Sequence, residues 1–121
     1  MQVIAGSKLF GTARRTEVLK ALGVLEETYA RELARLLGAP LLTVQRLIDA
    51  LERDGVVVTR RIGNERRISF NPRFFAVREL RALLFRMAQT DDRIVEAVRS
   101  LRRRPRRKGK PLPTPSVPRG E

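Results

Sequence analysis

The chain contains no cysteine and no histidine. The first absence excludes disulfides. The two together exclude thiolate and imidazole metal sites, and with them every Ser-His or Cys-His nucleophile system. No run of about 18 apolar residues exists, so no membrane-spanning helix is expected. The N-terminal MQVIAGSKLFG lacks the basic start and the long apolar stretch of a secretory signal. These absences point to a cytosolic, non-enzymatic protein with no metal, no cofactor and no membrane partner.

What the chain has in excess is positive charge. It carries 26 Lys and Arg against 13 Asp and Glu in 121 residues, a formal charge of +13. That imbalance attracts polyanions, either nucleic acid or an acidic membrane surface. The length allows one domain with a tail. Residues 99–121 hold nine basic residues and one acidic, and residues 105–121 hold five of the seven prolines. The composition predicts a disordered basic Pro/Arg/Lys-rich tail over 105–121. Without residues 99–121 the remainder is still basic, at +5.

The periodicity predicts a mainly α protein with a small β-hairpin. Thr12 caps a helix through Leu22, with Val18, Leu19 and Leu22 on one face and Gly23 past its end. Thr28 caps a short second helix over 29–37, whose inward residues are Ala30, Leu33, Leu36 and Leu37; Gly38 stops it. A third helix over 41–54 carries Val44, Leu47, Ile48 and Leu51 at the amphipathic spacing. Asn71-Pro72 starts a fourth, with Val77, Leu80, Leu84 and Met87 as a stripe that is either core or a dimer seam. Thr90-Asp91-Asp92 opens a fifth, continued by Ile94, Val98 and Leu101. Asp91 and Asp92 read as cap residues, not as a catalytic pair.

Between the third and fourth helices, residues 55–72 read GVVVTRRIGNERRISFNP. Gly63-Asn64 is a two-residue hairpin signal. It sets Arg61 opposite Arg66 and Arg60 opposite Arg67. Like charges directly opposite are destabilising, so the ribbon is expected to wait for an external anion.

The order is helix, short helix, tight link, amphipathic helix, basic hairpin. Over TYARELARLLGAPLLTVQRLIDALERDGVVVTRRIGNERRISFNP the chain resembles the winged helix-turn-helix regulators of the ArsR and MarR type. It is most similar to modules found beside nucleotidyltransferase domains, in which the wing also ends in Asn-Pro. Gly6-Ser7 is present, but the paired D-x-D carboxylates of such an enzyme are not. The resemblance divides the chain into a winged helix-turn-helix domain with its C-terminal helix (1–88), an additional helix (89–104) and the tail (105–121).

It also implies a DNA-binding transcriptional regulator that pairs as a homodimer and works on the nucleoid. The helix over 41–54 would lie in the major groove, and the wing over 56–70 would meet the backbone or minor groove of double-stranded DNA. Thr43, Gln45, Arg46 and Arg53 are the expected contacts from the helix; Arg60, Arg61, Asn64, Arg66 and Arg67 are those from the wing. Gln45 can read adenine and Arg46 guanine. Asp49 and Glu52 are expected to pair along the helix with Arg46 and Arg53. Pro40, Leu41 and Leu42 stand where the family commonly has small polar residues. They leave an alternative open: a protein-interaction or nonspecific nucleic-acid-binding module of a replication or transcription assembly, with Leu41 and Leu42 as the protein contact.

Overall fold

Thr12 opens the first helix: its hydroxyl oxygen accepts from the Arg15 amide at 3.1 Å, satisfying one of the donors that a helix start leaves unpaired. The computed structural model describes residues 7–103; the predicted tail lies outside the described residues. Helix α1 (Ala13–Leu25) leads through β1 (Glu27–Tyr29) to α2 (Ala30–Leu37) and α3 (Leu41–Arg53). The ribbon β2 (Val57–Ile62) and β3 (Glu65–Phe70) follows, then α4 (Val77–Gln89) and α5 (Asp92–Arg103). The result is a mostly helical winged helix with a three-stranded antiparallel sheet in the order β1-β3-β2.

The core is formed by apolar residues that these periodicities bring together. Val18, Leu22, Leu33, Val44, Ile48, Leu51, Val57, Ile68 and Leu84 are almost wholly shielded from water. Each such side chain contributes about 1.5–3 kcal/mol by burial. The stripe on α4 is core: Leu84 is buried, and Val77, Leu80 and Met87 pack against the same cluster. Ala88, Ile94 and Val98 make a second cluster with Val24, Leu25, Leu36 and Leu37, which seats α5 on the rest of the body.

Three boundaries differ from the sequence expectation. Gly23 lies inside α1, not past it, and the helix ends at Glu26 (φ 70°). The reason is α4: a Cβ on Gly23 would come within 2.9 Å of the Leu84 Cβ and 3.2 Å of backbone atoms of Leu84 and Phe85. Thr28 does not cap α2. It sits in β1, opposite Ile68, and its hydroxyl donates to Glu32 Oε1 at 2.6 Å; Tyr29 holds the cap position with no side-chain cap bond. Asn71-Pro72 does not start α4, which begins at Val77. Asn71 braces the loop before it, donating from Nδ2 to the Gly55 carbonyl at 2.9 Å and accepting from the Arg73 amide at 2.9 Å.

Asp91 caps α5 as expected: Oδ1 accepts from the Arg93 and Ile94 amides at 3.1 and 3.3 Å. Its other oxygen takes on a role that the sequence did not reveal. Lys20 donates to Oδ2 at 2.6 Å, with both side chains buried. Burial pushes the Asp91 carboxyl up, but the Lys20 ammonium, the Ile94 amide and Arg93 outweigh it and hold it below its ordinary value.

Candidate nucleic-acid interface

The link between α2 and α3 is as short as the sequence suggests. Gly38 and Ala39 turn their amides back on α2, to Arg35 O at 3.3 Å and Ala34 O at 2.9 Å, a Schellman closure that satisfies carbonyls at the helix end. Pro40 then takes the cap position of α3. With Val44, Ile48 and Leu51 buried, the helical period turns Leu42, Arg46, Asp49 and Arg53 outward. Leu42, Arg46 and Arg53 are exposed; Thr43, Gln45 and Asp49 are half-buried. Gln45, Asp49 and Glu52 lie on the flank that meets the ribbon, and Thr43 on the opposite flank.

The ribbon has the expected register. Arg60 pairs with Arg67, Arg61 with Arg66 and Ile62 with Glu65, leaving Gly63-Asn64 as a two-residue loop. Only Gly63 has a positive φ there (61°), the pattern of a type II′ turn with glycine first. Because side chains alternate along a strand, the four arginines divide between two faces. Arg61 and Arg66 share the face of Val57, Thr59, Ile68 and Phe70, which looks toward α3. Arg60 and Arg67 share the outer face with Tyr29 and Glu27 of β1.

This division corrects the view that the ribbon waits for an external anion. Carboxylates of the protein itself already answer three of the four arginines. Arg66 NH2 lies 2.8 Å from Asp49 Oδ1 and 3.0 Å from Glu52 Oε1. Arg60 and Arg67 both approach Glu27 Oε2, at 3.4 and 3.8 Å. Arg67 also meets Glu65 at 3.5 Å, and its guanidinium stands 5.6 Å from the centre of the Tyr29 ring. Asp49 and Glu52 therefore reach across to the ribbon instead of pairing with Arg46 and Arg53 along their own helix. Among the described residues, Arg46, Arg53 and Arg61 have no carboxylate within ion-pair distance; Asn64 is exposed at the tip.

Apart from Asn64 at the ribbon tip, the predicted residues thus fall into three groups. Arg46, Arg53 and Gln45 lie on α3, beside the ribbon face that carries Arg61 and Arg66. Arg60 and Arg67 are turned to the sheet's far face, and Thr43 to the far flank of α3. The sequence reading missed Glu27 and Tyr29. Three residues are too few for a periodicity, and only the β-favouring Thr28-Tyr29 pair hinted at a strand. Among the described residues no group of three or more His, Cys, Asp or Glu could hold a metal ion, and no helix is long and apolar enough to cross a membrane.

The chain matches no protein-family model and no curated protein. Among solved structures it is similar to a crystal structure of a cysteine-to-serine mutant of MarR from E. coli, at a TM-score of 0.53 and 18% identity. The match covers 78% of this chain and 69% of that one. At that identity the likeness is one of fold.

Proposed function

We propose that this protein is a DNA-binding transcriptional regulator of the ArsR and MarR type, acting in the cytoplasm on the nucleoid. In this reading α3 enters the major groove, with Gln45 and Arg46 meeting base edges, and the ribbon tip lies along the adjacent backbone or minor groove. One observation carries the reading. Asp49 and Glu52 hold Arg66 beside α3, so Arg46, Arg53 and Arg61, with no carboxylate within ion-pair distance among the described residues, would share one surface with it. Arg60, 72% exposed in its side chain and held by a single carboxylate at a longer 3.4 Å, can exchange Glu27 for a phosphate; Arg66 is held by two carboxylates and contributes mainly by position.

Two copies pairing as a homodimer would set two α3 helices in successive major grooves about 34 Å apart. The α4 core stripe is already covered within one chain. The exposed Leu83 and Phe85, one on each flank of α4 beside the buried Leu84, offer apolar area for pairing.

Selection of bound duplexes from a random library by the purified protein tests the reading. Enrichment of one motif, lost or altered in Arg46→Ala, is expected. Recovery of no motif, together with unchanged affinity in Arg61→Ala, would refute it. Leu42, 56% exposed at the start of α3, favours a second reading as a protein-interaction module. A partner retained at high salt without any duplex binding at low salt would select that alternative.

A further inference from the structure

Glu52 is placed to do a different job from the arginines around it. Its Oε2 accepts from the Thr59 hydroxyl of β2 at 2.8 Å. Its Oε1 accepts from Arg66 of β3 at 3.0 Å, and Asp49 takes the same guanidinium nitrogen at 2.8 Å. One carboxylate on α3 therefore holds both strands of the ribbon.

The position of this fork along the ribbon matters. The base of the ribbon is closed by the buried Val57, Ile68 and Phe70 and by the Val56 amide donating to Leu51 O at 3.0 Å. Beyond Thr59 and Ile68 the apolar packing ends: Arg60, Arg61, Ile62, Gly63, Asn64 and Glu65 are all exposed. The ion pairs of Arg66 with Asp49 and Glu52 are the outermost ties between ribbon and helix among the described residues.

Electrostatics alone gives these two acids no place on a DNA-binding surface. A carboxylate near the duplex repels phosphate, and its removal strengthens binding by that term. We infer that Glu52, assisted by Asp49, is a positioning residue. It sets the angle of the ribbon to α3 before any duplex arrives, so the protein selects duplexes by the spacing and width of neighbouring grooves as well as by base edges. This inference rests on the proposed DNA-binding role, and its sign is opposite to that of simple charge repulsion.

Three variants test it: Glu52→Gln, Thr59→Val and the charge-exchanged pair Glu52→Arg with Arg66→Glu. Residual dipolar couplings of the free protein report the angle between the ribbon tip and α3 and its spread. Titration with a duplex selected by the wild type reports affinity, and thermal unfolding verifies that each variant folds. Glu52→Gln should loosen the tip in the free protein and weaken the duplex about two- to fivefold, the range of a partly exposed ion pair. Thr59→Val should act in the same direction without changing charge, and the exchanged pair should recover the tip order lost in Glu52→Gln. An unmoved tip, or tighter duplex binding by Glu52→Gln, overturns the inference. If the wild type binds no duplex, the DNA reading fails; the couplings of the free protein still decide whether Glu52 orders the ribbon.

Discussion

At the scale of single residues, buried charge is where the largest effects are expected. Lys20 and Asp91 are 3% and 5% exposed, and removing one partner leaves the other charged and shielded from water. Asp91→Asn keeps an oxygen to cap α5 but abandons Lys20, and should cost about 3–5 kcal/mol in urea unfolding. Lys20→Met combined with Asp91→Asn should recover much of that loss, because no unpaired charge remains. The pair also gives stability a direction in pH. The folded-state value of Asp91 is lowered from its ordinary 3.8, so its contribution is complete above that pH. It is lost as pH falls through the folded-state value. Acid titration of unfolding free energy should show this loss in the wild type and not in Asp91→Asn. Arg61 represents the opposite case, an exposed cation with no carboxylate partner among the described residues. Arg61→Ala should leave stability within about 0.5 kcal/mol. It should make the log–log salt dependence of duplex binding shallower by about 0.9 per subunit.

At the scale of elements, the close approach of α1 to α4 sets the shape of the domain. Gly23→Ala gains about 1 kcal/mol of helix propensity. The new methyl, however, would stand 2.9 Å from the Leu84 Cβ, an atom that moves only with its helix, and such overpacking costs about 1–3 kcal/mol. Net destabilisation of up to about 2 kcal/mol is expected in chemical unfolding. The same position shows where the sequence could and could not be read. Helices α2 and α3, the link between them and the ribbon register are local patterns: apolar spacing, a stop at Gly38 and a glycine-led two-residue turn. All of these were legible. Gly23 reads locally as a helix stop, and only the arrival of α4 makes it an interior residue. Thr28 reads locally as a cap, and only β3, far along the chain, turns it into a strand residue. The arginines were legible as cations, but Glu27, Asp49 and Glu52, which answer Arg60, Arg66 and Arg67, sit on other elements, so this neutralisation was not.

At the scale of the whole molecule, charge is distributed in two parts. Residues 99–121 carry nine basic residues and one acidic, whereas on the described surface many arginines are matched by carboxylates. In the proposed DNA-binding reading, sequence preference should therefore reside in the folded part and general affinity in the C-terminal part. A chain ending at residue 103 should lose affinity for specific and competitor duplexes by similar factors, and Gln45→Ala should change their ratio instead. Competition assays at two salt concentrations separate the outcomes. In the reading with Arg53, Arg60 and Arg61 as the phosphate contacts, the folded part alone has a salt slope of roughly −2.7 per subunit; full engagement of the four ribbon arginines would by itself give −3.6, at about 0.9 per phosphate. In the homodimer reading, Leu83→Glu, on one exposed flank of α4, should shift sedimentation from dimer to monomer while leaving the fold's circular dichroism unchanged.

The pairing of β1 with β3 encloses α2 and α3 between two strands that are distant in the chain. The hairpin of β2 and β3 needs only its own turn and is expected to nucleate within about 1–10 μs. The strand Glu27–Tyr29 has nothing to dock on until that hairpin exists, and its docking closes a long loop. Folding should thus proceed from the ribbon backward. Substitution at Thr28 would accelerate unfolding and leave the refolding arm of the chevron almost untouched, whereas Ile68→Val would slow refolding.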